Sequence, residues 1–251
     1  MTIAQTLQLG GIENAEIEAG WILKYAEQND IPDIVRRRVN GEPLQYLLGE
    51  WEFYGLPMKV GEGVLIPRPE TELLAQLTID SGQLTVDSTV LDLCAGSGCV
   101  GITLAKKIGC KVTAVEMSKD AIKYLHQNIK LNGVEDLVEV VESDIFDKQI
   151  DADCILINPP YLSTAEMNNL QTELTYEPPE ALFGGSDGLM FYRKFFNTWG
   201  ERIKQSCLFA CEIGETQSIA VQRMMENIGL NPLVKQDYNK KDRIIYSIKE
   251  K

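Results

Sequence analysis

The chain has 251 residues, a formal net charge of −13, 44% hydrophobic residues and 24% charged ones. That length holds one large domain, or one domain with a small companion, of ordinary globular composition. The negative charge argues against a broad nucleic-acid footprint, which needs a Lys/Arg-rich face, and no run approaches the roughly 18 apolar residues of a membrane span.

The elements follow in chain order. The N-terminal stretch "MTIAQTLQLGG" has no basic n-region and no cleavage-like site, so no export signal is expected. Residues 2 to about 40 read as short helices, with Ala19, Ile22, Leu23 and Ala26 at helical spacing. Pro32 falls early in a restarted helix. Residues 51–66, "WEFYGLPMKVGEGVLI", contain two β-rich runs on either side of Gly61-Glu62-Gly63, which predicts a hairpin. The segment "PRPE" at 67–70 predicts an extended link, and helix resumes at Thr71.

From residue 89 the rhythm is strand, helix, strand. "TVLDLCA", "KVTAVE", "VEVVES", "DCILIN", "SCLFACEI" and "RIIYSIK" read as strands. The helix "SKDAIKYLHQNIKLNG" carries Ser118 as N-cap and Gly133 as stop. Such alternation predicts an α/β fold, a parallel sheet with helices on both faces and ligands at the strands' carboxyl ends. The six cysteines (Cys94, Cys99, Cys110, Cys154, Cys207, Cys211) form no CxxC pair, and the one histidine, His126, stands alone. We therefore expect buried thiols in a reducing cytoplasm and no metal site.

Four strand tips carry candidate chemistry. The first ends in "DLCAGSGCVG", where Gly96, Gly98 and Gly101 spell G-x-G-x-x-G and Glu116 follows Gly96 by 20 positions. The glycines let a ligand approach the backbone, and a carboxylate at the next tip can accept from a ribose diol. This string serves NAD and S-adenosylmethionine alike. Asp92 favours the latter, because a carboxylate suits a methionine ammonium and not a pyrophosphate. Another tip ends in Ser143-Asp144-Ile145, an acid for the adenine N6 amine and an apolar side chain to lie against the ring.

The last tip ends in Asn158-Pro159-Pro160-Tyr161. The Asn158 amide oxygen and the Pro159 carbonyl can each accept one hydrogen of a planar NH₂ group. Tyr161 offers a flat surface, and the prolines stiffen the backbone that aims both acceptors. Such a clamp suits methylation of a poor nitrogen nucleophile, because orientation supplies much of the rate and the proton leaves after transfer. Between Lys148 and Arg193 there is no basic residue, while Asp151, Asp153, Glu166, Glu173, Glu177, Glu180 and Asp187 all fall there. The expectation is an acidic rim that steers a basic partner.

With these motifs, "GEPLQYLLGEWEFYGLPMKVGEGVLIPRPETELL" (41–74), "YEPPEALFGGSDGL" (176–189) and "EIGETQ" (212–217), the chain resembles the peptide chain release factor N5-glutamine methyltransferases. The resemblance implies a class I S-adenosylmethionine-dependent methyltransferase with a Rossmann-like, seven-stranded, mostly parallel sheet. It adds a small all-helical N-terminal domain and a β-hairpin linker, here drawn as 1–48, 49–72 and 73–251, with the first docking the release factor. The implied reaction is methyl transfer to the glutamine side-chain nitrogen of the release factors' Gly-Gly-Gln motif. The implied cofactor positions are Cys94, Ala95, Gly96, Ser97, Gly98, Glu116, Ile145 and Asn158, to which the residue reading adds Asp92 and Asp144. The substrate positions are Asn158, Pro159, Pro160 and Tyr161, with Asn158, Pro159 and Tyr161 catalytic. Leu65 stands near the glutamine pocket where some members carry Phe, Ile145 where some carry an aromatic, and the N-terminal region is short for the family. We expect a monomer whose partner is a release factor, with neither nucleic acid nor membrane. The competing readings are a nucleic-acid amino-methyltransferase, an NAD-dependent oxidoreductase that leaves Asn-Pro-Pro-Tyr unexplained, and a non-catalytic binding protein.

Overall fold

The computed structural model describes residues 1–249. Helices α1 (Ile3–Leu9), α2 (Ala15–Tyr25), α3 (Ile31–Val39) and α4 (Leu44–Leu48) come first. They enclose an apolar cluster of their own around Leu7, Ile22, Ile34 and Leu44. Thr2 and Gln5 close a capping box on α1, and Pro32 occupies the first turn of α3. Arg38 of α3 is buried in this bundle, with its Nε 2.6 Å from Glu18 Oε2. The same guanidinium reaches Glu173, far along the chain, at 2.6 Å. Two carboxylates thus compensate a cation whose unpaired burial would cost several kcal/mol.

The hairpin forms earlier than the sequence suggested. Strands β1 (Glu50–Phe53) and β2 (Leu56–Lys59) pair antiparallel, and the turn between them is Tyr54-Gly55. Both turn residues have positive φ, 52° and 75°, the backbone that matches strand twist in a two-residue turn. Gly61 and Gly63 do different work. A Cβ on Gly61 would lie 2.2 Å from the Tyr124 hydroxyl, and one on Gly63 would lie 2.7 Å from Asp120 Cβ. They let this segment lie against helix α7 (Lys119–Asn132). The "PRPE" link is also only partly extended. Arg68 is extended, but Pro69–Thr71 form a 3₁₀ turn that leads into α5 (Glu72–Asp80).

The main sheet has strands β3 (Thr89–Leu93), β4 (Lys111–Glu116), β5 (Val138–Glu142), β6 (Cys154–Ile157), β7 (Leu208–Glu212), β8 (Leu233–Gln236) and β9 (Asp242–Ile248). Their order is β5-β4-β3-β6-β7-β9-β8, with β9 antiparallel to both neighbours and the other pairs parallel. Strand β8 went unpredicted. It is a four-residue edge strand with no fully buried residue, so it carries no clear period-2 signal. Helices α6 (Cys99–Ile108) and α10 (Ser218–Asn227), α9 (Met190–Gln205), the short α8 (Thr164–Met167) and 3₁₀ turns at Thr172–Tyr176 and Pro179–Ala181 complete the described elements.

Strand residues alternate between two cores as the pleat requires. Val90, Cys154 and Leu156 join Leu74, Ile102 and Leu125 on one face; Leu91, Ile155 and Ile157 join Phe195, Trp199 and Val221 on the other. The whole of β6 is excluded from solvent. Burial on both faces explains its continuous apolar run. Helix α7 starts on the Ser118 side chain, which accepts from Ala121 N, and stops at Gly133 with φ 63°. No described cysteine is in a disulfide: Cys99, Cys110, Cys154 and Cys211 are buried, Cys94 and Cys207 half-buried. No described helix is long and apolar enough to cross a membrane.

Candidate active site

The order of strand addition reverses between the parallel neighbours β3 and β6, and crevices form at such switch points beyond the strands' carboxyl ends. Here a cavity of about 250 Å³ is lined by Asp92, Cys94, Ala95, Gly96 and Ser97 from the first turn, Glu116 from the tip of β4, and Asn158 and Pro160 from the tip of β6. A smaller cavity of about 150 Å³ is lined by Pro159, Tyr161, Leu162 and Glu212. Leu65, Arg68, Asn158 and Ala181 line both, so Asn158 stands at the junction of the two spaces.

The first turn is built by its glycines. Gly96 has φ 56°, and a Cβ there would project into open space. Gly98 has φ 80°, and its Cβ would lie 2.2 Å from Leu125 Cδ1; Gly101 has Asp92 Oδ2 2.8 Å from its Cβ position. One glycine therefore leaves room in the cavity, and the other two let helix α6 pack tightly. Cys94 also adopts a left-handed backbone, φ 57°. Glu116 clasps the turn, with Oε2 accepting from Gly96 N and Oε1 from Met117 N and Ser118 N, each at 2.8 Å. A carboxylate has about four acceptor sites, so capacity remains for a ribose hydroxyl.

Asp92 is 3% exposed, and its Oδ2 accepts from Gly101 N at 2.8 Å. Burial pushes its carboxyl up to about 7; the Gly101 N–H holds it down and nearby Glu116 raises it further. Burial also pushes the Cys94 thiol well up, so it is no nucleophile.

At the second tip, Asn158 Nδ2 donates to Thr71 Oγ1 at 3.1 Å, and Thr71 Oγ1 donates to Glu212 Oε2 at 2.6 Å. Tyr161 Oη donates to Glu212 Oε1 at 3.1 Å. Burial raises the Tyr161 phenol, which stays a neutral donor. Among the described residues, Asn158 Oδ1 and the Pro159 carbonyl accept no hydrogen bond, so two acceptors remain for an incoming group. Gly188 backs this loop so closely that a Cβ would lie 2.4 Å from the Tyr161 carbonyl, which Gln217 Nε2 also binds at 2.9 Å. Arg68 pairs with the buried Glu177, whose other oxygen accepts from Ile66 N at 3.0 Å. It therefore both braces the linker and forms cavity wall.

Three of the residues singled out in the sequence lie away from both cavity walls. Gly98 is packed under the turn. Asp144 Oδ1 accepts from Phe146 N at 2.9 Å, closing its own turn. Ile145 is 4% exposed in the core beneath α9, and its carbonyl accepts from Trp199 Nε1. The aromatic surface of the larger cavity is instead Phe191, backed by Phe146 at 5.4 Å between ring centroids. Glu212 and Phe191 had no assigned role in the sequence reading. Glu212 and Thr71 carry no short-range signal, because their partners are 141 and 87 positions away.

The acidic rim is largely neutralised. Asp151 pairs with Arg202, Glu173 with Arg38, Glu177 with Arg68 and Asp187 with Arg193. Asp153 sits at the far end of β6, accepting from Thr89 N and its hydroxyl. The tract empty of basic residues in sequence is thus supplied with them in space, and the steering expectation loses four of its seven charges.

The site suits S-adenosylmethionine: a glycine turn with room beside Gly96, a carboxylate at the ribose position and a buried carboxylate for an ammonium. Residues 70–197 match the family model "Methyltransferase small domain". The hMettl16 catalytic domain, solved in complex with a 3′UTR hairpin, superposes with a TM-score of 0.63 at 16% identity, over 86% of this chain and 82% of that one. Fold, family match and cavity together define a class I S-adenosylmethionine-dependent methyltransferase. The chain is 38% identical to the release factor glutamine methyltransferase of Thermodesulfovibrio yellowstonii, over 95% of this chain and 86% of that one. It is 35% identical to that of Geobacter sulfurreducens, over 94% and 90%. The chain belongs to the release factor glutamine methyltransferase family.

Proposed function

We propose that the protein transfers a methyl group to the side-chain amide nitrogen of the glutamine in the Gly-Gly-Gln motif of peptide chain release factors. Membership of the family supports this, and one observation carries it. Two unfilled acceptors, Asn158 Oδ1 and the Pro159 carbonyl, stand where the cofactor-sized cavity meets a smaller second one. S-adenosylmethionine supplies an electrophilic methyl group from the larger cavity. Asp92 holds its ammonium, Glu116 its ribose, and Cys94 to Ser97 its backbone contacts, with Phe191 as the aromatic wall. The glutamine amide enters the smaller cavity between Leu65, Pro159 and Tyr161, with Pro160 on the side of the larger one. Its two hydrogens bond to Asn158 Oδ1 and the Pro159 carbonyl, which holds the nitrogen face-on to the donor. As the C–N bond forms the sulfonium C–S bond would break, leaving the neutral thioether; the nitrogen becomes positive, and both acceptors stabilise that charge. The surplus proton leaves to solvent once the nitrogen is methylated.

The chain divides as residues 1–48, which dock the release factor, a hairpin linker at 49–72, and the catalytic domain from 73. It acts in the cytoplasm as a monomer without binding nucleic acid directly. Incubation with labelled S-adenosylmethionine and, in parallel, release factor, RNA or DNA tests this. Label on release factor is expected. Label on RNA or DNA alone would instead establish the nucleic-acid amino-methyltransferase reading.

A further inference from the structure

We propose that Glu212 is a positioning residue, which through Thr71 decides which atom of Asn158 faces the substrate amide. This rests on the glutamine-methylation reading above. An asparagine amide has two orientations of nearly equal shape, one presenting oxygen and the other NH₂. Only the first can serve here. In the second, NH₂ would face NH₂, a donor against a donor, and the substrate hydrogens would lose a partner. Something must select the productive orientation before the substrate arrives.

A chain of hydrogen bonds makes that selection. Glu212 ends β7, is 1% exposed and accepts at both oxygens. Burial raises the Glu212 carboxyl, while the Thr71 and Tyr161 hydroxyls and the Arg243 guanidinium hold it down. Since it accepts from both hydroxyls, the Thr71 hydroxyl spends its one hydrogen on Glu212 Oε2, at 2.6 Å. Toward Asn158 the hydroxyl then has only lone pairs. At 3.1 Å it therefore binds Nδ2, and Oδ1 is turned to the cavity junction. The other oxygen of Glu212 holds the Tyr161 hydroxyl at 3.1 Å. One buried carboxylate thus orients the first and last residues of the Asn-Pro-Pro-Tyr clamp. Thr71 belongs to the turn after the hairpin, so the arrangement also ties the linker to the reacting group.

A plain structural strut between β7 and the linker would use the same contacts, and a double-mutant cycle separates the two roles. Thr71→Val keeps the shape and removes the polarity signal. It is expected to lower kcat by about 10–100-fold, less than the roughly 100–1,000-fold for deleting a preorganised polar contact outright, because Asn158 itself remains. S-adenosylmethionine affinity should stay within about threefold, and Thr71→Ser should restore most of the rate. In an Asn158→Ala background there is no amide left to orient, so Thr71→Val should change kcat by less than about twofold. Glu212→Gln provides a second variant should Thr71→Val fail to fold. Its amide can offer Thr71 either a donor or an acceptor, so it should lower kcat about tenfold, and by clearly less in the Asn158→Ala background, where only its contact with Tyr161 still matters. Equal losses in both backgrounds, or no loss in either variant, would overturn the role of Glu212. Absence of release-factor methylation by the unsubstituted protein would overturn the glutamine reading, and this inference with it.

Discussion

Asp92 is the sharpest test of the site, because stability and binding pull in opposite directions there. The group is 3% exposed, and its carboxyl is pushed up to about 7 from an ordinary 3.8, chiefly by burial. A raised acid holds a proton in the folded chain that the unfolded chain has already released. Its favourable contribution is fully present below pH 3.8 and is lost as pH rises through 7. The whole displacement is worth about 4 kcal/mol. Between pH 5 and pH 8 the linkage relation assigns about 3 kcal/mol of that loss. Asp92→Asn can still accept from Gly101 N but never ionises. Its stability relative to the unsubstituted protein should therefore rise by about 3 kcal/mol from pH 5 to pH 8. Urea unfolding of the ligand-free proteins at both pH values measures this difference. S-adenosylmethionine affinity at pH 8, by calorimetry, should fall by at least about tenfold, the value of a lost charge-assisted hydrogen bond. A pH-independent stability difference would refute the burial argument, and unchanged affinity would refute the ammonium partner.

Asn158→Ala should cost about 3 kcal/mol of transition-state stabilisation, read as kcat with release factor, while S-adenosylmethionine binding weakens much less. Gly98→Ala forces a Cβ to 2.2 Å from Leu125 Cδ1 at φ 80°, and urea unfolding should show a loss of about 2–4 kcal/mol. Arg38→Met leaves Glu18 buried without its cation, and thermal unfolding should show a destabilisation of about 3–5 kcal/mol. With four rim carboxylates neutralised by arginines, raising salt from about 50 to about 500 mM should slow transfer by less than about threefold.

The amino-acid sequence by itself determined whatever depends on local pattern. The apolar run Cys154 to Ile157, the glycine turn at 96–101 and the cap at Ser118 each carry their signal within a few residues, and each is found where the pattern placed it. The same holds for the strand–helix alternation that yields a mostly parallel sheet with its crevice at the carboxyl ends. The hairpin turn failed at this level because Gly61 and Gly63 look like turn glycines. They are needed for close packing on Tyr124 and Asp120, contacts about sixty positions away. Strand β8 failed because a short edge strand buries too little to show a period.

Only tertiary structure could decide the electrostatics and the orientation of the clamp. Arginines from distant elements neutralise an interval that is wholly acidic in sequence. Three segments far apart in the chain bring Thr71, Asn158 and Glu212 within hydrogen-bonding distance. That asparagine and tyrosine should hold a flat amide was readable from their chemistry. That Asn158 presents oxygen and not NH₂ depends on a carboxylate more than fifty positions away, because the direction of a hydrogen bond is set by its partner.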